Sequence, residues 1–75
     1  MAFDAAPLGE ALRFLADAAG LDVVLTDVPP ARVTLRLRNV DPRDALVALA
    51  NAHGLGVAEV GPTLVLRPVR GGPGP

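Results

Sequence analysis

The chain has 75 residues, a length that fits one small domain with a single hydrophobic core. Its apolar residues are mostly Ala, Leu and Val, and only two aromatic side chains occur, so it offers no platform for stacking bases or sugars. Seven arginines, eight acidic residues and a net charge of −1 argue against a general nucleic-acid-binding protein. The absence of cysteine and the single histidine exclude disulfides, thiolate nucleophiles and zinc sites built from Cys or several His. No apolar run approaches the about 18 residues that span a membrane, and no signal peptide is recognisable.

A first helix is predicted over about residues 7–19. Pro7 suits the start of a helix, and Gly20 suits the position that follows the last turn. Apolar residues recur at three- and four-residue intervals, which is typical of a helix with one buried face. That face consists of Leu8, Ala11, Leu12, Leu15 and Ala19, and the opposite face carries Glu10, Arg13 and Asp17.

A second helix is predicted over about residues 42–53, with Asp41 as its N-cap and Pro42 as its first residue. The two helices belong to an internal repeat, because the pattern from Glu10 to Val23 recurs from Asp44 to Val57 at an offset of 34 residues. Helical repeat proteins need several copies to bury their faces, so two copies with strands between them favour a compact domain with two equivalent units.

Five strands accompany the two helices, in the predicted order β-α-β-β-α-β-β of an α+β domain. The segment 23–26 is expected to be more buried than the strand that comes after it. Gly61 and Pro62 between the last two strands predict a hairpin. The five strand candidates are residues 2–5, 23–26, 32–38, 55–60 and 63–67.

The strand at residues 32–38 shows strict alternation, which is typical of a sheet with one solvent-exposed face. Val33, Leu35 and Leu37 are expected to point inward, and Arg32, Thr34, Arg36 and Arg38 outward. The outward residues form either an ordinary solvated face or a docking face for an acidic partner strand or loop. They are the candidate partner-binding residues of the chain.

Nothing in the sequence predicts catalytic, cofactor-binding or metal-binding residues. His53 lies at the end of the second helix, where an imidazolium interacts well with the last carbonyls, and this structural role is preferred to catalysis. Asp41 and Asp44 are better explained by helix capping than by acid–base work. The chain contains no serine, and a small hydrolase or metal enzyme is therefore the disfavoured alternative. The final segment, residues 71–75, is rich in Gly and Pro and is predicted to be a linker tail after a folded domain at residues 1–70.

In its order of motifs, the sequence resembles the secretin and TonB N-terminus short domain over about residues 3–68. The resemblance implies two helices flanked by a small three-stranded sheet and a two-stranded hairpin. It has one departure, at Asp41 and Pro42, where a local change at the helix start is expected. The motifs that carry it are Phe3-Asp4, Pro7-Leu8, Ala11-Leu12, Leu15-Ala16, Gly20-Leu21, Val23-Val24, Val33-Thr34-Leu35, Leu37, Asn39-Val40, Asp44-Ala45-Leu46, Gly54-Leu55, Gly61 and Leu64-Val65-Leu66.

The resemblance implies a non-enzymatic module without a cofactor that binds other proteins in the periplasm as part of an outer-membrane protein. In a secretin of a type IV pilus or type II secretion system, it would dock inner-membrane components or cargo within a ring of identical subunits. The alternative is the signalling domain of a TonB-dependent receptor, which would contact an inner-membrane regulator. Neither function involves nucleic acid or insertion of this domain into the membrane.

Overall fold

The computed structural model describes residues 2–69, and its two helices and five strands have the predicted order β-α-β-β-α-β-β. The α+β fold class is therefore confirmed. The predicted linker tail at residues 71–75 lies outside the described residues. The elements are β1 (Ala2–Pro7), α1 (Leu8–Ala18), β2 (Asp22–Leu25), β3 (Arg32–Arg36), α2 (Pro42–Ala52), β4 (Leu55–Val60) and β5 (Thr63–Pro68).

The strands form a two-stranded and a three-stranded sheet. In the larger sheet β5 is central, parallel to β2 and antiparallel to β4. The predicted hairpin joins β4 to β5 inside this sheet, through a turn in which Gly61 has a φ of +62°. The smaller sheet pairs β1 with β3 in antiparallel orientation. Because α1 and β2 separate these two strands in the chain, the smaller sheet is a long-range pairing.

The two helices lie side by side and supply most of the core. α1 contacts β1, β2 and β3, while α2 contacts α1 and β4. Leu12 and Leu46 occupy equivalent positions in the repeat, and both are completely buried, as predicted. The other fully buried large side chains are Leu8, Leu15, Leu55, Leu64 and Leu66. The inward faces of both helices thus meet the three-stranded sheet in one continuous aliphatic core.

The helix ends are determined by a few local residues. The Asp41 carboxylate accepts a hydrogen bond of 3.0 Å from the Arg43 N–H, so the predicted N-cap of α2 is confirmed. α1 has no side-chain cap, and Pro7 lies at its N-cap position in an extended conformation. Gly20 and Gly54 come after the two helices with the same φ of +74°, a left-handed conformation that favours glycine.

Three strands differ from the sequence-based expectation. β2 is less buried than predicted, with Val24 48% exposed, because Val24 lies on the outer face of an edge strand whose residues alternate between exposed and half-buried. β3 ends at Arg36, two residues early, where the chain bends and Asn39 takes a φ of +53°. β1 extends to Pro7, and its register against β3 shifts between Phe3 and Ala6, which marks a β-bulge.

Candidate docking surfaces

The outward residues of β3 form an exposed basic face, defined here as Arg32, Thr34 and Arg36. All three side chains are exposed, while Val33 between them is buried, so the predicted alternation holds along the strand. Arg38 is also exposed, but it lies beyond the end of β3, in the bend. The structure therefore brings three of the four candidate residues onto one strand face and places the fourth beside its end.

Two members of the basic face stabilise the bulge in β1. The Ala5 N–H donates a hydrogen bond of 3.1 Å to the Thr34 hydroxyl, and the Arg32 guanidinium donates one of 3.1 Å to the Ala5 carbonyl. Ala5 has a φ of +53°, a conformation that a non-glycine residue adopts at a cost of about 1–2 kcal/mol. Arg32 and Thr34 thus have a structural role, which no sequence pattern indicated because the bulge depends on the pairing of β1 with β3.

Arg36, the last residue of β3, is the member of the basic face that makes no hydrogen bond to the bulge. Within residues 2–69, its side chain makes no hydrogen bond or ion pair, and the same holds for Arg38. Arg43, by contrast, pairs with Glu59 across α2 and β4. Arg36 and Arg38 are therefore the arginines of this segment whose guanidinium groups are available to an acidic partner.

An apolar groove, called here the α2–β3 groove, lies between the exposed side of α2 and the chain from β3 to the helix. Its volume is about 450 Å³, and Asp44 is the charged residue on its rim. No motif in the sequence predicted this groove, although the alanines of α2 were a signal, since small side chains leave space beside a helix. The apolar lining includes Leu35, Leu37, Val40, Ala48, Leu49 and Ala52.

The exposed side of α1, called here the α1 face, has a different character. Phe14 projects from it with 51% of its surface exposed, and its ring meets Phe3 of β1 edge to face, with centroids 5.2 Å apart. A shallow cleft of about 530 Å³ separates this side of α1 from β2. The charged residues that line the cleft are Glu10, Arg13, Asp17 and Asp22.

The described residues contain no arrangement typical of a metal or membrane site. Within residues 2–69, no three His, Cys, Asp or Glu side chains are grouped closely enough to hold a metal ion. No helix in that range combines the length and the apolar character needed to cross a membrane. His53 is partly buried at the C-cap of α2, the helix-end position that the sequence predicted.

Comparison with known proteins finds solved structures that are similar to this chain. The chain is similar to the type IV competence pilus secretin PilQ of V. cholerae, with a TM-score of 0.74 and 26% identity over 91% of this chain. It also shares its fold, at a TM-score of 0.71 and 20% identity over 89% of this chain, with a 43 kDa tail protein of prophage MuSo2 from Shewanella oneidensis. The chain spans 16% of the PilQ chain and 22% of the tail protein. No family model and no curated protein matches. The fold and the PilQ similarity together support a secretin-related domain.

Proposed function

We propose that this chain is a non-enzymatic, periplasmic protein-interaction module of an outer-membrane secretin, which docks an inner-membrane component or cargo of the same secretion or pilus machinery. The observation that carries this proposal is the similarity to PilQ. It covers 91% of the chain, and over that length the two proteins share a fold and 26% of their residues. A small domain with an aliphatic core and charged outer faces also suits a role in binding proteins.

The basic face of β3 is the proposed docking surface, together with Arg38. Side chains at alternate positions of a strand are spaced by about 7 Å, so Arg36 and its neighbours can meet successive acidic residues of a partner strand. Arg36 is the member with the clearest binding role, since Arg32 and Thr34 already hold the β1 bulge. An exposed charge of this kind adds little to the stability of the domain but steers the encounter with a partner.

The proposal is tested by titrating the Arg36→Glu variant against the periplasmic part of the inner-membrane protein encoded beside the parent secretin. We expect weaker binding than for the unmodified chain, with the largest difference at low salt because exposed charges are screened as salt rises. The far-UV circular dichroism spectrum should be unchanged.

Arg67→Glu is the matched control, because Arg67 is an exposed arginine on β5, in the other sheet. This variant makes the same change in net charge and should bind the partner normally. Unchanged affinity of a folded Arg36→Glu variant at low salt would exclude the basic face. Equal losses in the two variants would show a general charge effect in place of a docking site.

A further inference from the structure

The cleft between the α1 face and β2, called here the α1–β2 cleft, is lined by charged side chains that have no partner within residues 2–69. Three carboxylates against one guanidinium give this lining a net charge of −2. None of the four makes a hydrogen bond or an ion pair to another described residue. The cleft therefore offers unpaired negative charge to a basic ligand. The four side chains are those of Glu10, Asp17, Asp22 and Arg13.

Two of the carboxylates flank an exposed aromatic ring. Glu10, Phe14 and Asp17 follow one another at four- and three-residue intervals, so the helix brings them onto one stripe. The stripe is about 10 Å long, and Phe14, which is 51% exposed, lies in the middle of it. A cation over an aromatic ring is attracted by the ring, and carboxylates on both sides add to the attraction. The stripe thus suits a lysine or arginine side chain.

The position of Asp17 is not explained by the stability of the helix. Glu10 and Asp44, its equivalent in the second unit, lie in the first turns of their helices, where a negative charge is favourable. Asp17 lies in the last turn of α1, where the helix dipole disfavours a negative charge, and the equivalent residue of α2 is the neutral Asn51. The fold forms in the second unit without this carboxylate, which indicates that Asp17 has another role.

β2, the other wall of the cleft, has an unpaired edge. Among the described strands it pairs with β5 alone, at one side of the larger sheet. The Thr26 N–H donates a hydrogen bond of 3.0 Å to the Leu66 carbonyl, so the backbone groups at alternate positions point towards β5. Those of Val23 and Leu25 point the other way, to the open edge. An extended segment of another protein can form hydrogen bonds with these groups and add a fourth strand.

We infer that a basic, extended segment of another protein adds to the open edge of β2 and places a lysine or arginine side chain over Phe14, between Glu10 and Asp17. Alternate side chains of an added strand are about 7 Å apart, so two of them fit along the stripe on α1. This site goes beyond the proposed function, which assigns an acidic partner to the basic face of β3. The domain then binds two segments of opposite charge on separate surfaces.

The test uses a capped synthetic peptide of about eight residues, a usual strand length, in which arginine and valine alternate. It is titrated into the unmodified chain at about 10 mM salt and followed by NMR. We expect shifts at the Phe14 ring and in β2, and slower hydrogen exchange of the Val23 and Leu25 N–H groups, because the added strand protects them. Binding should weaken strongly at about 1 M salt. A peptide with glutamate in place of arginine should not bind.

Asp17→Asn is the most informative variant, and Asp44→Asn, the same change on α2, is its matched control. Asp17→Asn should weaken binding of the arginine peptide about threefold or more at low salt, while the melting temperature stays the same or rises. A residue with a purely structural role would not separate these two readouts. Asp44→Asn should bind the peptide as the unmodified chain does. Phe14→Leu, which keeps an apolar side chain without the ring, should also weaken binding about threefold.

Three results would overturn the inference. The first is no binding of the arginine peptide at about 1 mM. The second is an equal loss in Asp17→Asn and Asp44→Asn, which would indicate general charge attraction. The third is binding without slower exchange at Val23 and Leu25, which would exclude strand addition. Arg36→Glu should bind this peptide at least as well as the unmodified chain, so failure here is distinguishable from failure of the proposed function.

Discussion

The two halves of the internal repeat show which features of the domain are local and which are not. In both, a helix of 11 residues is followed by a glycine with a φ of +74° and then by a strand. The strands nevertheless pair differently, since β2 lies parallel to β5 and β4 lies antiparallel to it. The difference comes from the residues at the end of each strand. Gly61 turns the chain straight back after β4, whereas Pro29 and Pro30 lead the chain away after β2.

The buried and exposed sides of the two units have diverged to different extents. The core positions are the same, with Leu12 and Leu46 at equivalent places and both fully buried. The outer positions differ, for example in side-chain size at Phe14 and Ala48. Core residues are constrained by close packing in both units, whereas an outer position can change without a cavity forming. The two units therefore differ mainly on the outer sides of their helices.

The largest expected effect concerns the shared core. Leu12→Ala and Leu46→Ala should each lower the free energy of unfolding by about 2–5 kcal/mol, through lost transfer energy and a residual cavity. For a domain of this size, each kcal/mol lowers the melting temperature by about 4–8 °C. Thermal melts followed by circular dichroism would measure both variants. Leu→Met at either position is the volume-conserving control and should cost less than about 1.5 kcal/mol.

Two results would contradict this view of the core. Melting temperatures close to that of the unmodified chain would show that the leucines are not in the core. A large loss for one leucine with almost none for the other would show that the two units do not contribute equally, in spite of their equal burial.

Most elements of the fold were predictable because they depend on local patterns. Helical spacing, the Asp41 cap and the two glycines after the helices specify α1 and α2, and alternation specifies β3 and its exposed arginines. The bulge at Ala5 and the exposure of Val24 were not predictable, because both depend on which strand pairs with which. The α2–β3 groove was missed for the same reason, since it exists between elements that meet only in the folded chain.

Substituting the glycines that follow the two helices should change the stability of the domain by an intermediate amount. A Cβ added at Gly20 or Gly54 would meet no atom within 4 Å, so substitution by alanine tests the backbone conformation alone. We expect Gly20→Ala and Gly54→Ala each to destabilise the domain by about 1–2 kcal/mol, the cost of a left-handed conformation. Urea titrations that give the free energy of unfolding would measure the effect.

Gly9 supplies the control for these glycine variants. It lies inside α1, and a Cβ there would meet Leu25 at 4.0 Å, an ordinary contact. Gly9→Ala should therefore stabilise the domain by about 0.5–1 kcal/mol, as expected for alanine in a helix. Destabilisation by Gly9→Ala equal to that of the other two variants would indicate a general effect of added volume and not an effect of φ.

The smallest change in stability is expected at an ion pair that is present in the second unit and absent from the first. Arg43 and Glu59 form an ion pair between α2 and β4, and the residues 34 positions earlier are Gly9 and Leu25, which are also neighbours in space. The second unit thus has an exposed ion pair where the first has an apolar neighbour. Exposed pairs contribute little, because water and salt screen the charges and two long side chains lose freedom.

A double-mutant cycle of Arg43→Ala and Glu59→Ala would measure this pair. We expect a coupling energy of about 0.2–1 kcal/mol, which decreases towards zero in about 1 M salt as the charges are screened. Arg67→Ala combined with Glu59→Ala is the control cycle. A coupling above about 2 kcal/mol that resists salt would mean that the pair holds α2 against β4. In that case the contact between helix and strand in the second unit would depend on charge, whereas the equivalent contact in the first unit is apolar. The two units would then differ in what stabilises them as well as on their surfaces.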